Sequence, residues 1–196
     1  MPKCSTGGSL CDSGLLLNSR GTISGNPEPN GPNTLDSCVD GSSGTYHLDE
    51  SVDNIRVSTV NGGEFQIGSA VQVVATVWAY SPAADYADFY YATDVINPQW
   101  TFLDTLKPTA TGVNIISLQF TLGQGSADLQ AVRVAFRVNG IASPCPGGSY
   151  DDVDDIAFVV KPIQPTPTQV PTPPPTQRPV LAKATKLVKT SSTRPT

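Results

Sequence analysis

From residue 52 onward, apolar and polar residues alternate with a period of two, and turn residues interrupt the alternation at short intervals. The pattern predicts eight strands, at 54–60, 63–67, 71–80, 87–92, 100–106, 115–122, 129–138 and 155–160. It is cleanest over 131–138, where Val132, Val134, Phe136 and Val138 share one face while Arg133 and Arg137 share the other. The run 71–80 differs. Val73 and Val77 lie on one side and Val74, Trp78 and Tyr80 on the other, so this strand is expected to be central or covered by a partner. No segment shows helical periodicity with caps. Eight strands at this spacing predict an all-β fold, a β-sandwich of jelly-roll-like type.

Both ends of the chain break the pattern. Residues 1–37 read as a loop-rich segment with one apolar run, Leu15-Leu16-Leu17. Within it, Gly25-Asn26-Pro27-Glu28-Pro29-Asn30-Gly31-Pro32-Asn33 is turn chemistry throughout. After Val160 the composition turns to proline, threonine and lysine, which predicts a sandwich domain over 1–160 and an extended arm over 161–196. The first half of the arm is expected to be polyproline II, with Thr166, Thr168, Thr172 and Thr176 as O-glycosylation sites. No N-x-Ser/Thr sequon occurs anywhere in the chain. Its second half is apolar and basic, and Val180, Leu181, Leu187 and Val188 are the residues expected to dock it. At about 3.1 Å per residue the arm reaches roughly 110 Å, whereas a body of this size is roughly 40 Å across. Such a reach suits contact with neighbouring copies.

Charge sharpens that division. The segment 161–196 holds six of the twelve basic residues and none of the seventeen acidic ones, so it carries +6 and residues 1–160 carry −11. An acidic body argues against nucleic acid as a partner. Opposite signs in body and arm favour attraction between copies. No run of about eighteen apolar residues exists to span a membrane. Residues 1–10 carry no signal-peptide core, so the chain reads as a mature or trimmed form.

Four cysteines permit three pairings, and no spacing among them matches a zinc site. Disulfides formed in an oxidising, extracellular compartment are the expected state. Cys4–Cys11 would close a short ring. Cys38–Cys145 would tie together two similar segments, Tyr46-His47-Leu48-Asp49-Glu50-Ser51-Val52-Asp53-Asn54-Ile55 and Tyr150-Asp151-Asp152-Val153-Asp154-Asp155-Ile156.

Those two segments carry the candidate chemistry. By parity Asp152 and Asp154 share the apolar face of Ile156 and Phe158, and Asp53 shares that of Ile55 and Val57. A carboxylate at the rim of an apolar face is costly unless paired or metal-bound. A calcium site with Asp53, Asp152 and Asp154 as ligands and Glu50 in support is therefore expected, the plainer outcome being solvated acidic turns. Eight aromatic residues (Trp78, Tyr80, Tyr86, Phe89, Tyr90, Tyr91, Trp100 and Phe102) fall within 25 positions. They are expected to be mostly buried in the core or against a partner rather than to form a sugar-stacking platform. His47 is the one histidine, and no G-x-S-x-G is present, so the residues name no reaction.

The segments Thr45 to Val57, Ala87-Asp88-Phe89-Tyr90-Tyr91, Leu129 to Val134 and Tyr150 to Ile156 resemble secreted β-sandwich modules that accompany extracellular proteases and glycoside hydrolases. That resemblance covers 38–160 and implies an accessory, non-catalytic domain. Two functions follow as expectations. The first is a non-enzymatic extracellular subunit polymerising head-to-tail through its arm into a fibre or surface layer. The second is a carbohydrate-binding or accessory module of a secreted hydrolase, with an O-glycosylated linker.

Overall fold

A computed structural model describes residues 1–21, 27–125 and 128–163. Contacts divide the chain into Met1–Gln164 and Pro165–Thr196. The proposed glycosylation threonines (Thr166, Thr168, Thr172, Thr176) and docking residues (Val180, Leu181, Leu187, Val188) lie outside the described residues.

The body is all-β, with two sheets packed face to face. Its strands are β1 (Lys3–Cys4), β2 (Leu10–Asp12), β3 (Ser51–Thr59), β4 (Ala70–Ala79), β5 (Asp85–Ala92), β6 (Thr101–Leu106), β7 (Gly112–Thr121), β8 (Leu129–Val138) and β9 (Asp152–Val159). One sheet runs β1-β9-β8-β5-β6 and the other β2-β3-β4-β7. Alternation sets the core. Val71, Val73, Ala75 and Val77 of β4 face Phe89, Val132, Val134, Phe136, Ile156 and Phe158 of the opposite sheet, all buried. No helix occurs among the described residues, so none is long and apolar enough to cross a membrane.

Two expectations fail locally. Residues 63–67 form no strand. This stretch is an irregular link between β3 and β4, whose Phe65 plugs the core while its N–H donates to Gly8 and its carbonyl accepts from Lys161. The loop-rich N-terminus does supply strands: β1 pairs in parallel with β9 and β2 antiparallel with β3. Cys4–Cys11 ties these two strands together across the sheets, and Cys38–Cys145 is the second bridge, the pairing expected from the sequence.

Strands β5, β8 and β9 of the five-stranded sheet are buried on both faces. The sheet's outer face carries Arg133, Arg137, Asp88 and Asp155, covered by the loops that Cys38–Cys145 joins. Arg133 donates to both oxygens of Asp155 (2.7 and 2.9 Å), to Asp36 and to the Pro144 carbonyl, and Trp100 stacks on its guanidinium at 4.2 Å. Arg137 pairs with Asp88 at 2.6 Å. The two arginines read from the sequence as a polar face are thus an internal ionic layer.

The aromatic block divides. Phe89, Tyr90 and Tyr91 are buried, whereas Trp78, Tyr86 and Trp100 are half-buried. Tyr80 and Phe102 are exposed, against expectation, because Tyr80 follows the last residue of β4 and Phe102 lies on the edge strand β6.

Candidate metal centre

Where β3 and β9 begin, the two sheets meet, and a backbone-to-carboxylate hydrogen bond crosses between them: Val52 N–H donates to Asp152 Oδ2 at 2.6 Å. Asp152 and Asp154 point inward at this rim, as their parity with Ile156 requires, and both are fully buried. The N-terminal segment closes over them. Leu17, Ser19, Arg20, Glu28 and Asn33 are all buried there, and Asp40 Oδ1 accepts from Val153 N–H at 2.9 Å.

Glu28, Asp152 and Asp154 each place one carboxylate oxygen within 4.8 Å of the others. Glu28 is set by two local bonds, its N–H to the Gly21 carbonyl (2.9 Å) and its Oε2 from Asn33 Nδ2 (2.7 Å). Gly21 has φ +38°, and a Cβ there would stand 2.6 Å from Asp40 Oδ2, so glycine is required twice over. Glu28 Oε1, Asn33 Oδ1, Asp40 Oδ2, Asp152 Oδ1 and both oxygens of Asp154 are buried with no hydrogen-bond partner. Arg20, whose charge opposes the rise at Glu28 and Asp40, donates its guanidinium to the carbonyls of Ser43, Tyr150 and Asp151 rather than to these carboxylates.

The electrostatic consequence is large. Burial, then the charge of Asp40, pushes Glu28 up to about 8. Burial raises Asp152 and Asp154 well above the carboxylate range, with Asp40 and Glu28 adding to the first and Asp152 and Glu28 to the second. Asp40 is raised by burial too, against its bond from Val153. Carboxyls so placed take up either protons or a cation.

Two residues expected at this site are elsewhere. Asp53 accepts from Ser51 Oγ (2.7 Å) and contacts His47 Nε2 (2.9 Å), and the His47 ring is stacked between Tyr46 and Trp78. Glu50 is buried beside Asp85. Glu28 joins Asp152 and Asp154 instead, with Asp40 bonded to β9 beside them, and the sequence reading missed both. Signals for them exist: Glu28 is the sole acid in a Gly/Pro turn tract, and Asp40 opens an Asp-Gly turn just after Cys38.

Burial, with the charge of Asp85 beside it, pushes Glu50 up to about 7 from an ordinary 4.5. Between those values the folded chain keeps a proton that the unfolded chain has lost, so stability falls as pH rises through that window. Glu50→Gln is expected to flatten this fall and to be more stable than wild type at pH 8 but not at pH 4.5. Urea midpoints of both proteins across pH 4.5–8 measure it, and parallel curves would contradict it.

Neither the protein-family models nor the curated proteins contain a match to this chain.

Proposed function

We propose that the chain is a non-enzymatic structural subunit of the cell exterior that assembles head-to-tail, each copy's C-terminal arm docking on the next copy's sandwich. One observation carries this reading. Among the described residues, strand β7 ends the four-stranded sheet and pairs only with β4, over an unbroken ten-residue register, and it contains no charge and no proline. Val113 and Ile115 on it are 58% and 75% exposed. Sheet edges are ordinarily guarded by lysine, proline or a bulge, because their free N–H and C=O groups invite another strand. This edge has none of these guards.

The segment 180–189 of a neighbouring copy is a suitable strand for it. It is ten residues long, proline-free, rich in Val, Leu and Ala, and basic where the body is acidic. A heterologous contact of this kind closes on itself only by special geometry and otherwise propagates into a fibre or layer. Attraction between a +6 arm and a −11 body is salt-sensitive.

Electron microscopy and sedimentation of three proteins provide the test. Full-length chain is expected to form polymers at low salt. A chain ending at residue 163 and full-length Ile115→Lys are each expected to remain folded monomers. Polymers from the shortened chain, or a full-length chain monomeric at high concentration and low salt, would remove the arm from assembly.

A second reading, a carbohydrate-binding accessory module, is favoured by a cavity of about 300 Å³ lined by Asp49, Glu50, Tyr80, Val138 and Tyr150. Two half-exposed tyrosine rings beside carboxylates suit a pyranose. Retention on insoluble polysaccharide, lost in Tyr80→Ala, would place this reading first.

A further inference from the structure

We infer that Glu28, Asp152 and Asp154, with Asp40 beside them, form a buried calcium site that clasps the N-terminal segment onto the sandwich. Clustered carboxylates alone do not make a site. The second observation is Asp154, which is 0% exposed, has neither oxygen hydrogen-bonded, and presents one of them within 4.8 Å of oxygens from Glu28 and Asp152. Asn33, 1% exposed and bonded through Nδ2 to Glu28, adds a further unpartnered oxygen, Oδ1.

The spacing fits an ion. With Ca–O distances of about 2.4 Å, two ligands of one calcium stand at most about 4.8 Å apart. That is the limit within which the three carboxylate oxygens fall. A proton is a poorer answer, since it neutralises one carboxyl and supplies one hydrogen bond. Calcium offsets two charges and takes six to eight oxygens, enough for the orphaned atoms of Glu28, Asp40, Asp152 and Asp154 together with added water.

The donor set selects the metal class. The unpartnered oxygens of Glu28, Asn33, Asp152 and Asp154 are carboxylate and amide oxygens, and the single imidazole is engaged with Asp53. Zinc and copper prefer nitrogen or sulfur, and magnesium prefers to keep most of its water in a strict octahedron. Calcium tolerates an irregular all-oxygen cage.

The ligands come from distant parts of the chain. Glu28 and Asp40 lie in the N-terminal segment, while Asp152 and Asp154 open the last strand. Binding therefore joins elements more than a hundred residues apart, and it stabilises the native state only.

The test uses full-length protein stripped with a chelator and then given CaCl2 alone. Equilibrium dialysis is expected to find about one Ca²⁺ per chain, and the melting temperature to rise in millimolar Ca²⁺ but not in equal Mg²⁺. Asp154→Asn is expected to lose the ion and the thermal response. Asp40→Asn, at a less buried position, is expected to weaken binding about tenfold or more through the lost neighbouring charge. Glu64→Gln, at an exposed ion pair with Lys161, is the control and is expected to bind as wild type does. No retained ion with identical melting in chelator and calcium would overturn the site. So would an equal response to Mg²⁺, or full binding by both Asp154→Asn and Asp40→Asn.

Discussion

Replacing Arg133 with methionine is expected to destabilise the body by about 3–5 kcal/mol, the cost of leaving a buried charge without its partner. Arg133 is fully buried on β8, and the carboxylate it serves, Asp155 on β9, is fully buried as well. Burial raises Asp155 and would favour its neutral form, and only the guanidinium opposes this strongly. Once that is gone, the Leu35 N–H at 2.7 Å is the main donor left to Asp155, the Pro144 carbonyl loses its side-chain donor, and Asp36 keeps only Trp100 Nε1 and the Cys38 N–H. The double variant Arg133→Met/Asp155→Leu removes both charges. It is expected to recover most of the loss, because replacing a whole buried pair with apolar groups is close to neutral. Urea unfolding of wild type, both single variants and the double variant measures this. A loss below about 1 kcal/mol in the arginine variant would mean that water reaches the pair and screens it.

Removing Cys38–Cys145 by double serine substitution is expected to cost nearly as much or more. The bridge spans 107 residues, and in the chain-entropy model a loop of that length restrains the unfolded chain by about 5 kcal/mol. Cys4–Cys11, with a separation of 7, is expected to contribute only about 2.5 kcal/mol. Separate unfolding curves for the two double variants test the ordering. The long bridge has a further role, since it anchors the loop whose Asp40 bonds β9 and whose Asp36 meets Arg133. Loss of Cys38–Cys145 should therefore weaken calcium binding, whereas loss of Cys4–Cys11 should not. Equal stability losses from the two would contradict the loop-length account.

The two predictions rest on unequal parts of the sequence. Arg133 and Arg137 are visible from periodicity alone as a shared face, but nothing local says that the face is covered. Alternating strands announce that one side is wet and the other dry. Here the cover comes from loops around Cys38 and Cys145, so the face of Arg133 becomes an interior and its charges become structural.

What the sequence determined by itself is whatever burial imprints every second residue. Seven of the eight expected strands stand where the alternation put them, and β8 has the expected ends, because each strand must hide one face regardless of its partners. The inward aim of Asp152 and Asp154 followed from the same parity. Tertiary structure decided the rest. Strands β1 and β2 are too short to show a period and exist only because β9 and β3 offer edges to them. Residues 63–67 alternate yet form no strand, since their backbone groups are taken by Gly8 and Lys161. The acidic centre shows the limit most clearly. Glu28 joins Asp152 and Asp154 across more than a hundred residues, while the nearer match in sequence, Asp53, is held by Ser51 and His47. A carboxylate's partners are set by which backbone brings oxygens within a few ångströms, and a linear pattern carries no such distance.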